Sequence, residues 1–127
     1  FNYGKMNRDF TYIDDVVEGI WRCCQKPAFI NKEFDALNPD KSTSFAPYRI
    51  FNIGNSQPIE LLRFIEILED ELGIKAIKNL LPIQPGDVEA TAANTDLLEN
   101  WVNFKPSISI ETGVKNFAKW YMNYYKN

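Results

Sequence analysis

The sequence contains no histidine. That absence removes His-based general acid/base catalysis, Ser-His and Cys-His nucleophile pairs, and His-ligated metal sites. Cysteine is nearly as scarce: Cys23 and Cys24 are adjacent, a spacing that fits neither a disulfide framework nor a C-x-x-C metal or redox motif. On a helix, neighbouring side chains diverge by about 100°, so one thiol faces the core and the other its edge, and two inert thiols is the better reading. The six glycines stand at positions 4, 19, 54, 73, 86 and 113. No two are close enough to form G-x-G-x-x-G or a P-loop, so this chain lacks a glycine cradle for phosphates. No tyrosine is followed four residues later by lysine. No run approaches the roughly 18 apolar residues of a membrane span, and the opening residues do not read as a signal peptide. A net charge of −3 without any Lys/Arg-rich stretch argues against nucleic acid as a partner. The expected setting is soluble and cytoplasmic, away from membranes.

What is present suits one packed domain. The chain has 127 residues, of which 45% are hydrophobic and 14% aromatic, enough to build a core. Phe1-Asn2-Tyr3-Gly4-Lys5 reads as the end of a strand entering a turn, and Arg8 to Ile13 as a short strand or extended segment. Asp14 or Asp15 suits the N-cap of a helix carrying Val16, Val17, Ile20, Trp21 and Cys24, stopped by Pro27. A long polar excursion follows, from Pro27 to Pro47. Residues 48–54 then read as a strand apolar on both faces, as in a buried parallel sheet. Asn55 to Pro58 read as a helix start, and Leu61, Ile65, Leu68 and Leu72 as its apolar stripe, ended by Gly73. Residues 74–81 read as a strand with Lys75 and Lys78 exposed. Pro82 to Asp87 form a turn-rich loop. Asn94-Thr95 caps a short helix with Leu97, Leu98 and Trp101, and Ser109 caps the last one, striped by Ile110, Val114, Phe117, Tyr121 and Tyr125. The element mix is α/β.

The segment Arg8-Asp9-Phe10-Thr11-Tyr12-Ile13-Asp14-Asp15 resembles the R-D-F-x-Y-[VI]-D-D signature of extended short-chain dehydrogenase/reductases. Arg49-Ile50-Phe51-Asn52-Ile53-Gly54-Asn55, Pro82-Ile83-Gln84-Pro85-Gly86-Asp87-Val88 and Phe104-Lys105-Pro106 follow in that family's order. The wording is most like that of UDP-glucuronate 4-epimerases that supply galacturonate for bacterial capsule and lipopolysaccharide, and the resemblance covers essentially the whole chain. It implies the C-terminal substrate-binding part of such an enzyme, plus one strand and helix that would join the parallel nucleotide-binding sheet. Residues 14–54 are then expected to pack on an NAD-binding domain that this chain does not contain. The family's glycine-rich NAD turn and catalytic Tyr-x-x-x-Lys lie earlier in its sequences, so NAD is expected in the parent enzyme and not on this chain, with no catalytic residue here.

By the same resemblance, Arg8 grips the diphosphate of a UDP-sugar, a role suited to a planar guanidinium fork. Asp87, in the family's Gly-Asp loop, accepts bonds from ribose hydroxyls. Gln84 stands where many relatives carry a second phosphate-binding arginine, a departure shared by the uronate-epimerase subgroup, and Phe1 matches an aromatic position near uracil. Each has a plainer reading: Arg8 in an ion pair with Asp9, Asp87 as a turn former, Asp14-Asp15 as helix-dipole partners, and the aromatic run at 120–125 as packing. Two other functions stay open, namely a different extended-family enzyme (sugar-nucleotide dehydratase or decarboxylase) and a stand-alone binding module. The second would bury the 48–54 strand and the Val16/Val17/Ile20 helix within its own chain. A substrate-binding part would leave them exposed and prone to self-association.

Overall fold

The computed structural model describes residues 1–125, so the last two residues of the expected 1–127 unit lie outside the described residues. Four helices carry the fold: α1 (Ile13–Gln25), α2 (Leu61–Leu72), α3 (Asp96–Val102) and α4 (Ile110–Tyr125). Two very short strands, β1 (Asn7–Arg8) and β2 (Ile59–Glu60), pair antiparallel with Asn7 opposite Glu60 and Arg8 opposite Ile59. Helix α2 packs on α4, and α1 packs on α3. The buried apolar side chains Met6, Ile67, Leu98, Val114 and Ala118 come from β1's approach and from three of the helices. Phe10 stacks on Phe64 at 4.4 Å between ring centroids, tying the segment after β1 to α2. The α1–α3 contact runs through Gly19, where an added Cβ would meet Ile53, Phe104 and Leu98 at 3.5–3.7 Å.

Each helix follows its apolar period, but two of them start differently from the expected caps. Helix α1 begins at Ile13 after Tyr12, with no side-chain cap. Asp15 instead accepts the amides of Ser107 and Ile108 at 2.9 and 2.8 Å, joining the first turn of α1 to the entry of α4. Helix α2 begins at Leu61, not in the Asn55–Pro58 stretch. There the Asp9 carboxylate takes the Ser56 and Gln57 amides, and Ile59–Glu60 is drawn into the sheet. Ser109 caps α4 as read, its Oγ accepting the Thr112 amide at 3.3 Å, and Gly73 ends α2 at φ +67°.

Three expected strands are absent as ladders. Phe1 to Lys5 contains a 3₁₀ turn over Asn2–Gly4, with Gly4 at φ +82° where Leu62 leaves no room for a Cβ. Residues 74–81 are irregular, held by side chains: Glu69 accepts bonds from Lys75, Lys78 and the Ala76 amide. Residues 48–54 hold only an isolated antiparallel bridge between Arg49 and Thr43. A strand apolar on both faces suits a sheet covered on two sides, and the sheet among the described residues holds only β1 and β2. Tyr48 and Ile50 stand exposed, and so do Ile13, Val17 and Trp21 of α1 at 60, 56 and 60%. The α/β expectation holds in a helix-dominated form.

Candidate functional site

Arg8 lies on β1, and the strand's alternation separates it from Asp9. The two do not pair. Asp9 accepts the amides of Ser56 (3.0 Å), Gln57 (3.4 Å) and Ala93 (3.2 Å), binding the strand to the segment before α2 and to the segment before α3. Close approach at this point requires Gly54, where a Cβ would fall 2.6 Å from Ala93 Cβ and 2.8 Å from Asp9 Oδ2. Asp9 escaped the functional reading because its motif neighbour Arg8 took the chemistry, and its three donors, the Ser56, Gln57 and Ala93 amides, are backbone groups that carry no residue signature.

Arg8 reaches the other way. Its Nη2 stands 3.3 Å from Asp87 Oδ1, with the two side chains 26 and 31% exposed. The same Nη2 donates to Val88 O at 2.9 Å, while Nη1 donates to Asn7 O at 2.9 Å and Glu89 O at 3.2 Å. Residues 87–91 lie alongside β1, with Asn7 N donating to Glu89 O and Thr91 N to Asn7 O. The guanidinium is therefore seated over a rim of carbonyls facing one carboxylate, a polarity that holds a cation firmly.

Asp87 closes a turn. Its amide donates to Gln84 O at 3.1 Å across Pro85 and Gly86, and Gly86 has φ +85°. Proline followed by a left-handed glycine is the signature of a type II turn. The Asp87 carboxylate also accepts the Val88 amide at 2.9 Å. Gln84 sits in this turn with an exposed side chain. Phe1 is half exposed, and the turn it begins is tied to the same loop by Tyr3 N donating to Leu81 O at 2.8 Å. Arg8 and Asp87 are thus brought together, Gln84 joins them through its backbone, and Phe1 reaches the region only through its neighbours.

Elsewhere, a cavity of about 250 Å³ is lined by Phe10, Tyr12, Phe64, Ile108, Val114 and Phe117, and includes none of the four expected site residues. Cys23 is half-buried and Cys24 exposed. Burial, with Cys24 beside it, pushes the Cys23 thiol above its usual value, away from the reactive thiolate. Among the described residues no helix is long and apolar enough to cross a membrane.

No protein-family model matches the chain. It is 49% identical over 126 residues to protein CapI of Staphylococcus aureus, covering 99% of this chain and 38% of that protein. It is 45% identical over 130 residues to a protein of Rhizobium meliloti described as a probable UDP-glucuronate 4-epimerase, covering 99% and 37%. In structure it is similar to the UDP-glucuronic acid 4-epimerase from Bacillus cereus in complex with UDP-glucuronic acid and NAD. That match has a TM-score of 0.73 and 25% identity, covering 98% of this chain and 35% of the other. The chain spans little more than a third of the length of these relatives.

Proposed function

We propose that this chain, which has the fold of the C-terminal part of an extended short-chain dehydrogenase/reductase epimerase, binds the nucleotide-sugar for an NAD-dependent UDP-sugar 4-epimerase. The parent reaction is the interconversion of UDP-glucuronate and UDP-galacturonate, in the cytoplasm, for surface polysaccharide. The observation that carries this reading is the meeting of two motifs 79 residues apart, the Arg8 of one facing the Asp87 of the other at 3.3 Å. Arg8 supplies the cation for the diphosphate, and Asp87 an acceptor for ribose hydroxyls, with Gln84 and Phe1 flanking the nucleotide. The dinucleotide does not fit this chain. Gly4, Gly19, Gly54 and Gly113 pack against side chains, while Gly73 and Gly86 serve isolated turns, so none is grouped to admit a pyrophosphate backbone. The sequence holds no Tyr-x-x-x-Lys pair, and the role proposed for this chain is grip on the nucleotide-sugar. When bound to the parent, NAD supplies transient oxidation at the sugar's C4.

The exposed apolar stripe of α1 and the 48–54 segment, which joins no sheet, favour a part that docks on a nucleotide-binding domain over a stand-alone module, which would have buried both. Calorimetric titration with UDP tests the assignment. The chain binds UDP, and Arg8→Ala weakens binding about 10- to 100-fold, as expected for losing charge-assisted bonds of roughly 1.5–3 kcal/mol. Equal affinity of the variant removes Arg8 from the site.

A further inference from the structure

Resting on the reading of Arg8 as the diphosphate anchor, we propose that Asp87 is a built-in competitor for that anchor. It holds the guanidinium in a neutralised seat that an incoming diphosphate must take from it. The guanidinium has five N–H groups. Asn7 O and Glu89 O take the two of Nη1, while Val88 O, the Asp87 carboxylate and, at 3.8 Å, the Met6 sulfur share the two of Nη2. No protein acceptor is within hydrogen-bonding reach of Nε among the described residues. A phosphate that binds bidentately takes the Nε–Nη2 edge, so it needs Nη2 released.

Asp87 is the partner suited to yield. Its bond, at 3.3 Å, is longer than the 2.9 Å bonds to Val88 O and Asn7 O. Its oxygen has an alternative donor in the Val88 amide, so the carboxylate is not stranded when Arg8 leaves. Its backbone stays fixed by the turn bond to Gln84 O. Freed from Nη2, the carboxylate becomes an acceptor for a neutral hydroxyl next to the anion. The two residues then discriminate as a pair: a ligand with diphosphate and adjacent hydroxyls satisfies both groups, whereas a bare anion leaves Asp87 facing it with like charge.

The arrangement predicts opposite signs for two fragments of one ligand. Titrated with inorganic pyrophosphate, Asp87→Asn binds up to about fivefold more tightly than the unmodified chain, the range of an exposed ion pair worth at most about 1 kcal/mol. Titrated with uridine, the same variant binds more weakly. Glu89→Gln removes an equal charge from the same segment but not the contact, and leaves pyrophosphate affinity within twofold. In an Arg8→Ala background, Asp87→Asn gives no gain. Pyrophosphate binding that is unchanged or weaker in Asp87→Asn, or equally improved in Glu89→Gln, overturns the competition while leaving Arg8 as the anchor. Absence of pyrophosphate binding in every form, with folding verified by circular dichroism, overturns both.

Discussion

A carboxylate and a glycine show how residue-scale geometry decides what this chain tolerates. Asp9 is useful because Gly54 is small: the backbone of the 54–57 segment comes close enough for two of its amides to reach one side chain. Gly54→Ala would push a methyl against the Ala93 methyl and against the Asp9 carboxylate, which three backbone amides hold in place. The expected cost is about 1–3 kcal/mol, typical of overpacking, visible as a lower urea midpoint at unchanged slope. A midpoint matching the unmodified chain would mean that the close approach relaxes freely. At this scale the sequence was legible in part. Arg8 and Asp87 stood out by residue type and motif, but the partners of Asp9 and Asp15 did not, because both reach backbone amides, which carry no residue signature. Asp15 illustrates the loss, a good capping residue whose carboxylate serves another segment.

Among the elements, the helices were readable and the strands were not, for a physical reason. Helices α1 to α4 satisfy their hydrogen bonds locally, so a 3.6-residue apolar period is sufficient evidence. Strands β1 and β2 are two residues each and meet across more than fifty positions, leaving no period to see. The 74–81 segment reads as a strand with Lys75 and Lys78 exposed, yet those lysines fold back onto one carboxylate at the end of α2. Lys78, the Ala76 amide and Lys75 hold Glu69 well below its ordinary 4.5, at about 2. A carboxyl depressed on folding adds stability that is fully present above its unfolded value and is lost as pH falls through its folded one. Thermal midpoints should therefore decline between pH 4.5 and about 2, and Glu69→Gln should flatten that decline while lowering the midpoint at neutral pH. An acid limb of identical shape in the variant would show that this cluster does not hold the segment. Lys75, raised above 10.5 chiefly by its bond to Glu69, contributes in the opposite sense: its share is complete below that value and lost at higher pH.

For the whole molecule, the imbalance between core and surface is informative. Ile13, Val17, Ile20 and Trp21 line one side of α1 and remain open to water, an apolar patch of the kind that docking surfaces present. Val17→Lys with Ile20→Lys should leave the thermal midpoint within about 2 °C, since exposed positions change stability little, and should abolish concentration-dependent association in sedimentation velocity. A steep loss of stability would show instead that the stripe already belongs to the core. The site has a different relation to the whole. Asp9 joins stretches 47 and 84 residues away from it, and closing such distant pairs costs chain entropy that the rest of the fold must offset. The strand that carries Arg8 is thus held in place by contacts from far along the chain. A chain with either stretch detached would hold Arg8 less firmly, making ligand capture a readout of completed assembly.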